Sequence, residues 1–187
     1  MYANLKPENI YLFGDQEYRI GDLGFVSMDS LKYASLPDRY RSVYTAPEVV
    51  DAYSSLNATM DTYALGLILY QVYNGGKLPF DKEADRAAWL DKLSAGAPIV
   101  PPACADAEMA AIITKACAYD PAERWQTPAE LGHAIISYMQ RCGAEDVAMY
   151  CLEQENQMPA SPEEVAEARQ EGAVIHCGWG PSRILQE

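Results

Sequence analysis

At 187 residues the chain is long enough for one hydrophobic core and a small appendage. Its 49% hydrophobic and 22% charged content is that of a soluble globular protein, and no stretch approaches the roughly 18 consecutive apolar residues of a membrane span. A formal charge of −13 argues against a sequence-independent binder of nucleic acid or anionic membrane, because both need a positive surface to displace counterions.

The opening MYANLKPENI has no basic stretch followed by an apolar one, so no secretory signal is expected and the cytoplasm is the expected compartment. Ile10 to Phe13 and Tyr18 to Ile20 are β-prone and flank Gly14-Asp15-Gln16-Glu17, which predicts a hairpin that delivers Gly21-Asp22-Leu23-Gly24 to its far end. Residues 25–45 follow neither a helical nor a strand period and read as a long ordered loop, a feature that is usually functional. From Met60 to Asn74 the chain is apolar on nearly every side of a helix, which predicts a helix in the middle of the core, ended by Gly75-Gly76. Ala84 to Leu93, Asp106 to Cys117 and Pro128 to Met139 predict three amphipathic helices, the last two opened by Asp106 and by Thr127-Pro128-Ala129-Glu130. Between the first two, the proline-rich 96–102 stretch is expected to be extended.

The charge is unevenly spread: residues 1–140 hold 18 acids and 11 bases, whereas residues 141–187 hold 9 acids and 3 bases. That change in density predicts a boundary near residue 141. Beyond it come a β-prone piece at Val147 to Leu152, a helix starting at Ser161-Pro162-Glu163-Glu164, and a β-prone end at Val174 to His176. The five cysteines form no CxxC pair and no cluster at metal-ligand spacing, so idle or buried thiols are expected rather than disulfides or a zinc site. The only histidines, His133 and His176, have no Ser/Asp or Cys partner arrangement; packing is the expected role of His133.

Leu5-Lys6-Pro7-Glu8-Asn9, followed thirteen positions after Asn9 by Asp22-Leu23-Gly24, resembles the catalytic and metal-binding loops of protein kinases. Further matches come in the same order: Ala46-Pro47-Glu48, Asp61 with Gly66, and Asp120-Pro121-Ala122-Glu123-Arg124-Trp125. The resemblance implies a mainly α fold with a small β-hairpin, namely the C-terminal lobe of a serine/threonine-type kinase domain over residues 1–140, without the N-terminal lobe. It implies Mg2+ and ATP as cofactors, with Lys6, Asn9 and Asp22 at the nucleotide and Asn9 and Asp22 on the metal, an amide oxygen and a carboxylate being suitable ligands for a hard cation. Glu48 and Arg124 are implied to form a buried ion pair, and Asp61 to accept backbone hydrogen bonds from the catalytic loop. A protein partner or substrate is implied, with the missing lobe supplied by an upstream segment or another chain.

The departures bear on activity. Tyr2-Ala3-Asn4 stands where the family has its HRD triplet, so Asn4 occupies the place of the catalytic aspartate, and an amide cannot accept the substrate's proton near neutral pH. Impaired phosphoryl transfer and a role in signalling or protein interaction are expected. Ala3 removes the arginine that would clamp a phosphorylated loop. The alternative is a kinase active once its N-terminal lobe is completed. Residues 141–187 form an acidic tail, within which 142–187 resemble a β-α-β fragment of flavin-dependent pyridine-nucleotide oxidoreductases akin to the glutamate synthase small subunit, on Met158-Pro159-Ala160 and Gly178-Trp179-Gly180-Pro181; an oxidoreductase remnant or a weakly structured acidic tail are both open readings of it.

Overall fold

The computed structural model describes residues 2, 4–13, 17–21, 42–49, 57–144, 148–150, 162–170 and 174–177. Strands β1 (Ile10–Phe13) and β2 (Glu17–Ile20) form the expected antiparallel hairpin, in register from Ile10 opposite Ile20 to Phe13 opposite Glu17. Four helices follow: α1 (Thr59–Val72), α2 (Arg86–Ser94), α3 (Ala107–Ala116) and α4 (Pro128–Arg141). The described part of 25–45, the stretch predicted to be a long loop, is confined to residues 42–45; the rest, with Asp22, Leu23 and Gly24, lies outside the described residues.

Helix α1 sits in the middle of the core, as its lack of a polar face predicts. Tyr63 and Leu67 have no exposed surface, and Met60, Ala64 and Tyr70 are buried with them. Full burial of a side chain of this size stabilises by about 1.5–3 kcal/mol, so the helix is held by what surrounds it rather than by its intrinsic propensity. Its partners are α3, through Met109, Ile113 and Ala116, and α4, through Leu131. The crossing with α3 is very close at Gly66: a Cβ there would lie 2.7 Å from the Ala116 Cβ and 2.9 Å from the Cys117 Sγ. A glycine inside a helix costs about 0.5–1 kcal/mol relative to alanine, and here it is the condition for contact.

The helix ends follow the chemistry of their flanking residues. Helix α1 starts one residue before the expected Met60, because the Asn57 Oδ1 accepts from the Thr59 backbone N–H at 2.8 Å. It stops at Val72, and Gly75 and Gly76 then turn the chain with φ of +63° and +81°. Asp106 caps α3 by accepting from Met109 N–H at 2.8 Å, and Thr127 caps α4 by accepting from Glu130 N–H at 3.1 Å, with Pro128 at the first helical position. Helix α4 runs two residues past Met139, to the turn where Gly143 takes a φ of +89°. The 97–102 stretch has no regular structure and crosses the end of α1, where Val100 O accepts from the Tyr70 hydroxyl at 3.0 Å and Cys104 N–H reaches Tyr73 O at 2.8 Å.

Beyond α4, strand β3 (Ala148–Tyr150), helix α5 (Pro162–Gln170) and strand β4 (Val174–His176) make a β-α-β unit, with the two strands parallel and Ala148 opposite Val174. Helix α5 packs on α4, and Val165 is its buried side chain among those described.

Candidate active site

Tyr2, Asn4 and Leu5 meet the first turns of α1. Asp61, in the first turn of α1 and 5% exposed, accepts from the Tyr2 backbone N–H at 2.7 Å through its Oδ2. The expected role of Asp61 as an acceptor for this loop is thereby met. Asn4 and Leu5 are buried, and Pro7–Asn9 closes a 3-10 turn in which Asn9 N–H donates to Lys6 O at 3.0 Å.

Asn9 is 4% exposed and ties the loop to itself: its Nδ2 donates to the Asn4 backbone carbonyl at 2.8 Å. Donation through Nδ2 fixes the orientation of the amide, with Oδ1 turned away from that carbonyl. Asn9 O in turn accepts from Gly21 N–H at 2.8 Å, and the Tyr2 hydroxyl donates to Gly21 O. The hairpin therefore returns the chain to Asn9 at the residue immediately before Asp22. Asp22 itself, and Ala3, lie outside the described residues. Asn4, Lys6 and Asn9 are thus gathered on one loop. The Asn9 side-chain oxygen is of a type that suits a hard cation such as magnesium.

The wall facing this loop is the segment 42–49. Ser42 and Thr45 close on each other: Ser42 N–H donates to Thr45 Oγ1 at 2.8 Å and Thr45 N–H to Ser42 O at 3.1 Å. The Tyr44 hydroxyl donates to Gln71 Oε1 at 2.7 Å, while burial, followed by the nearby Glu8 carboxylate, raises its pKa. Asn4, Ser42, Thr45 and Asp61 line a small open cleft between the loop and this wall, with a free volume of about 10 Å3, room for one water molecule. Arg86, the first residue of α2, donates through Nε to Val43 O at 3.1 Å and through Nη2 to Thr45 O.

The downstream end of the wall is locked by the ion pair expected between Glu48 and Arg124. The guanidinium meets the carboxylate with both ends, Nη1 to Oε1 at 2.7 Å and Nη2 to Oε2 at 2.9 Å, and its side chain is fully buried. Its remaining donors reach Ala118 O at 2.7 Å, Tyr119 O at 2.9 Å and Thr59 O at 3.2 Å. It also lies 4.7 Å from the Tyr63 ring centroid. Every direction of the fork is used, which is what a buried arginine requires.

Arg86 and the Tyr44–Gln71 bond carry no motif. One signal was nevertheless present for Arg86: a cation in the first turn of a helix opposes the helix dipole, so its presence there calls for a partner outside the helix.

Comparison with known proteins adds the family. The protein kinase domain family model matches residues 1–136. A probable serine/threonine-protein kinase of Dictyostelium discoideum is 36% identical over 127 residues, covering 66% of this chain and 14% of that protein. A serine/threonine-protein kinase of Schizosaccharomyces pombe is 33% identical over 85 residues, covering 44% of this chain and 12% of that protein. Testis-specific serine/threonine-protein kinase 5 of Mus musculus is 28% identical over 192 residues, covering 95% of this chain and 49% of that protein. The chain thus spans half or less of the length of these relatives. The match to the mouse kinase extends through most of residues 142–187, the stretch expected to resemble an oxidoreductase.

Proposed function

The chain belongs to the protein kinase family, and from that premise we propose that it is a serine/threonine-kinase-like module, impaired in phosphoryl transfer, that acts in the cytoplasm through protein interaction. The observation that carries this reading is Asn4. It is buried at the cleft, on the loop whose backbone carbonyl is held by Asn9, at the position where the family places its base.

Phosphoryl transfer depends on positioning and charge neutralisation around a loose transition state. Asn9 Oδ1 and the Asp22 carboxylate would hold magnesium, and Lys6 would offset charge on the transferring group. MgATP supplies the phosphoryl group when bound. At the position of the family's base, the Asn4 amide can orient the incoming hydroxyl but cannot take its proton. Loss of a positioned base typically lowers the rate by about 10²–10⁴.

A second reading, an active kinase whose nucleotide cleft is completed by an upstream segment or another chain, is supported by Asn9, whose Oδ1 is not the atom used in the bond to Asn4 and is of a type that suits magnesium. Incubation of the purified chain with radiolabelled MgATP and casein, alone and with the N-terminal lobe of a related serine/threonine kinase supplied, separates the two. The impaired reading expects background labelling in both cases, and a gain of about 10²–10⁴ for Asn4→Asp when the lobe is supplied. Strong labelling by the unaltered chain that disappears in Asp22→Ala would refute it.

A further inference from the structure

We propose that Arg86 is a positioning residue: it holds the Val43–Thr45 wall of the Asn4 cleft in place without any phosphate on the chain, and it couples that wall to helix α2. The inference deepens the reading of the chain as a kinase-like module acting through protein interaction and, as a statement about what protein ligands meet at this cleft, rests on it.

Three observations converge on Arg86. It stands at the first position of α2, the end of a helix where a cation is disfavoured, so its placement serves something outside the helix. Its fork spans two backbone carbonyls, those of Val43 and Thr45, which flank Tyr44 and belong to the segment that lines the cleft. A planar fork with several fixed donors can serve both carbonyls at once, whereas a single ammonium cannot reproduce that geometry. Finally, α2 is held to the lobe at few points. Leu93 is its one buried side chain, and Trp89, partly buried, stacks on Phe80 with ring centroids 5.3 Å apart. Among the described residues, Arg86 is therefore the direct polar link between α2 and the cleft wall.

The acceptors are main-chain carbonyls, which neither titrate nor depend on modification. The family's usual device, an arginine beside the catalytic residue that grips a phosphorylated loop, is replaced here by Ala3. With the downstream end fixed by Glu48 and Arg124 and Tyr44 held by Gln71, Arg86 fixes the carbonyls on either side of Tyr44. Displacement of α2 by a bound protein would pull on Val43 and Thr45 directly.

Hydrogen exchange of the full chain, read peptide by peptide, tests this in the unaltered protein, Arg86→Ala, Arg86→Lys and, as a control on the exposed face of the same helix, Lys92→Ala. Loss of hydrogen bonds from a charged donor is expected to speed exchange across 42–49 by about ten- to a hundredfold in Arg86→Ala. Exchange in α3 and α4 stays unchanged, Arg86→Lys falls between, and Lys92→Ala matches the parent. Phosphatase treatment of the parent leaves 42–49 as protected as before. Unchanged exchange at 42–49 in Arg86→Ala, equal acceleration in α3, or release of 42–49 by phosphatase would each overturn the proposal. None of these readings requires MgATP or phosphotransfer, so failure of the kinase assay and failure of the Arg86 role are separate results.

Discussion

Arg124 ties the 42–49 wall to the helical core through a fully buried charge. Its charge is fully buried, and the Glu48 carboxylate opposite is only 9% exposed, so neither group could be rehydrated cheaply if the other were removed. Arg124→Ala strands Glu48 and three backbone carbonyls together, and removal of one partner from such a pair costs about 3–5 kcal/mol. Arg124→Lys keeps the charge but loses the two-ended grip on Glu48 and the bonds to Ala118 and Tyr119, so it is expected to recover less than half of that loss. Urea unfolding followed by tryptophan fluorescence measures both, since Trp125 is the adjacent residue. An Arg124→Lys protein as stable as the parent would mean that charge alone, not the fork, holds the wall.

At the scale of elements, the α1–α3 crossing and the α3 cap set opposing tests. Gly66→Ala gains up to about 1 kcal/mol in helix propensity. It also drives a Cβ to 2.7 Å from the Ala116 Cβ and 3.1 Å from a backbone carbon, contacts that no rotamer change relieves. Overpacking of that kind costs about 1–3 kcal/mol, so the net effect on the melting temperature is expected to be a decrease. The same burial pushes the neighbouring Cys117 thiol up to about 12. The cap of α3 responds to pH instead. The Met109 N–H, followed by the Tyr138 hydroxyl, holds the Asp106 carboxyl below the usual aspartate range. Because its folded pKa is depressed, the stability it adds is present above the unfolded value of about 3.9 and is lost as the pH falls through the folded value. Asp106→Asn keeps a capping acceptor but cannot titrate. Melting curves taken below about pH 4 should therefore fall less steeply for Asp106→Asn than for the parent.

For the molecule as a whole, the sequence revealed the helical core and the hairpin and hid their attachments. The order of elements, the buried α1, the caps at Asp106 and Thr127, and the pairing of Glu48 with Arg124 were legible because each rests on a local pattern or on an ordered set of motifs. Arg86, Gln71 and Tyr44 were not, since a side chain that grips a main-chain carbonyl leaves no pattern in either partner's sequence. The attachment of the last elements belongs to the same hidden class. Helix α5 meets α4 with Val165 as its buried anchor, whereas α1 meets α3 and α4 through a continuous set of fully buried side chains. Among the described residues that anchor is one valine, worth about 1.5–3 kcal/mol, less than the total stability of about 5–15 kcal/mol typical of a domain, so the β3–α5–β4 unit is expected to open before the α1–α4 core does. The cysteines report on this: Cys104 and Cys142 are exposed, Cys177 is half-buried beside β4, and Cys117 is fully buried in the core. Pulsed alkylation across a urea series, with each site mapped by mass spectrometry, should label Cys104 and Cys142 without urea, Cys177 at intermediate urea and Cys117 only in the main transition. Val165→Ala should move the Cys177 step to lower urea and leave the Cys117 step where it is; movement of both together would mean that the tail and the lobe unfold as one cooperative unit.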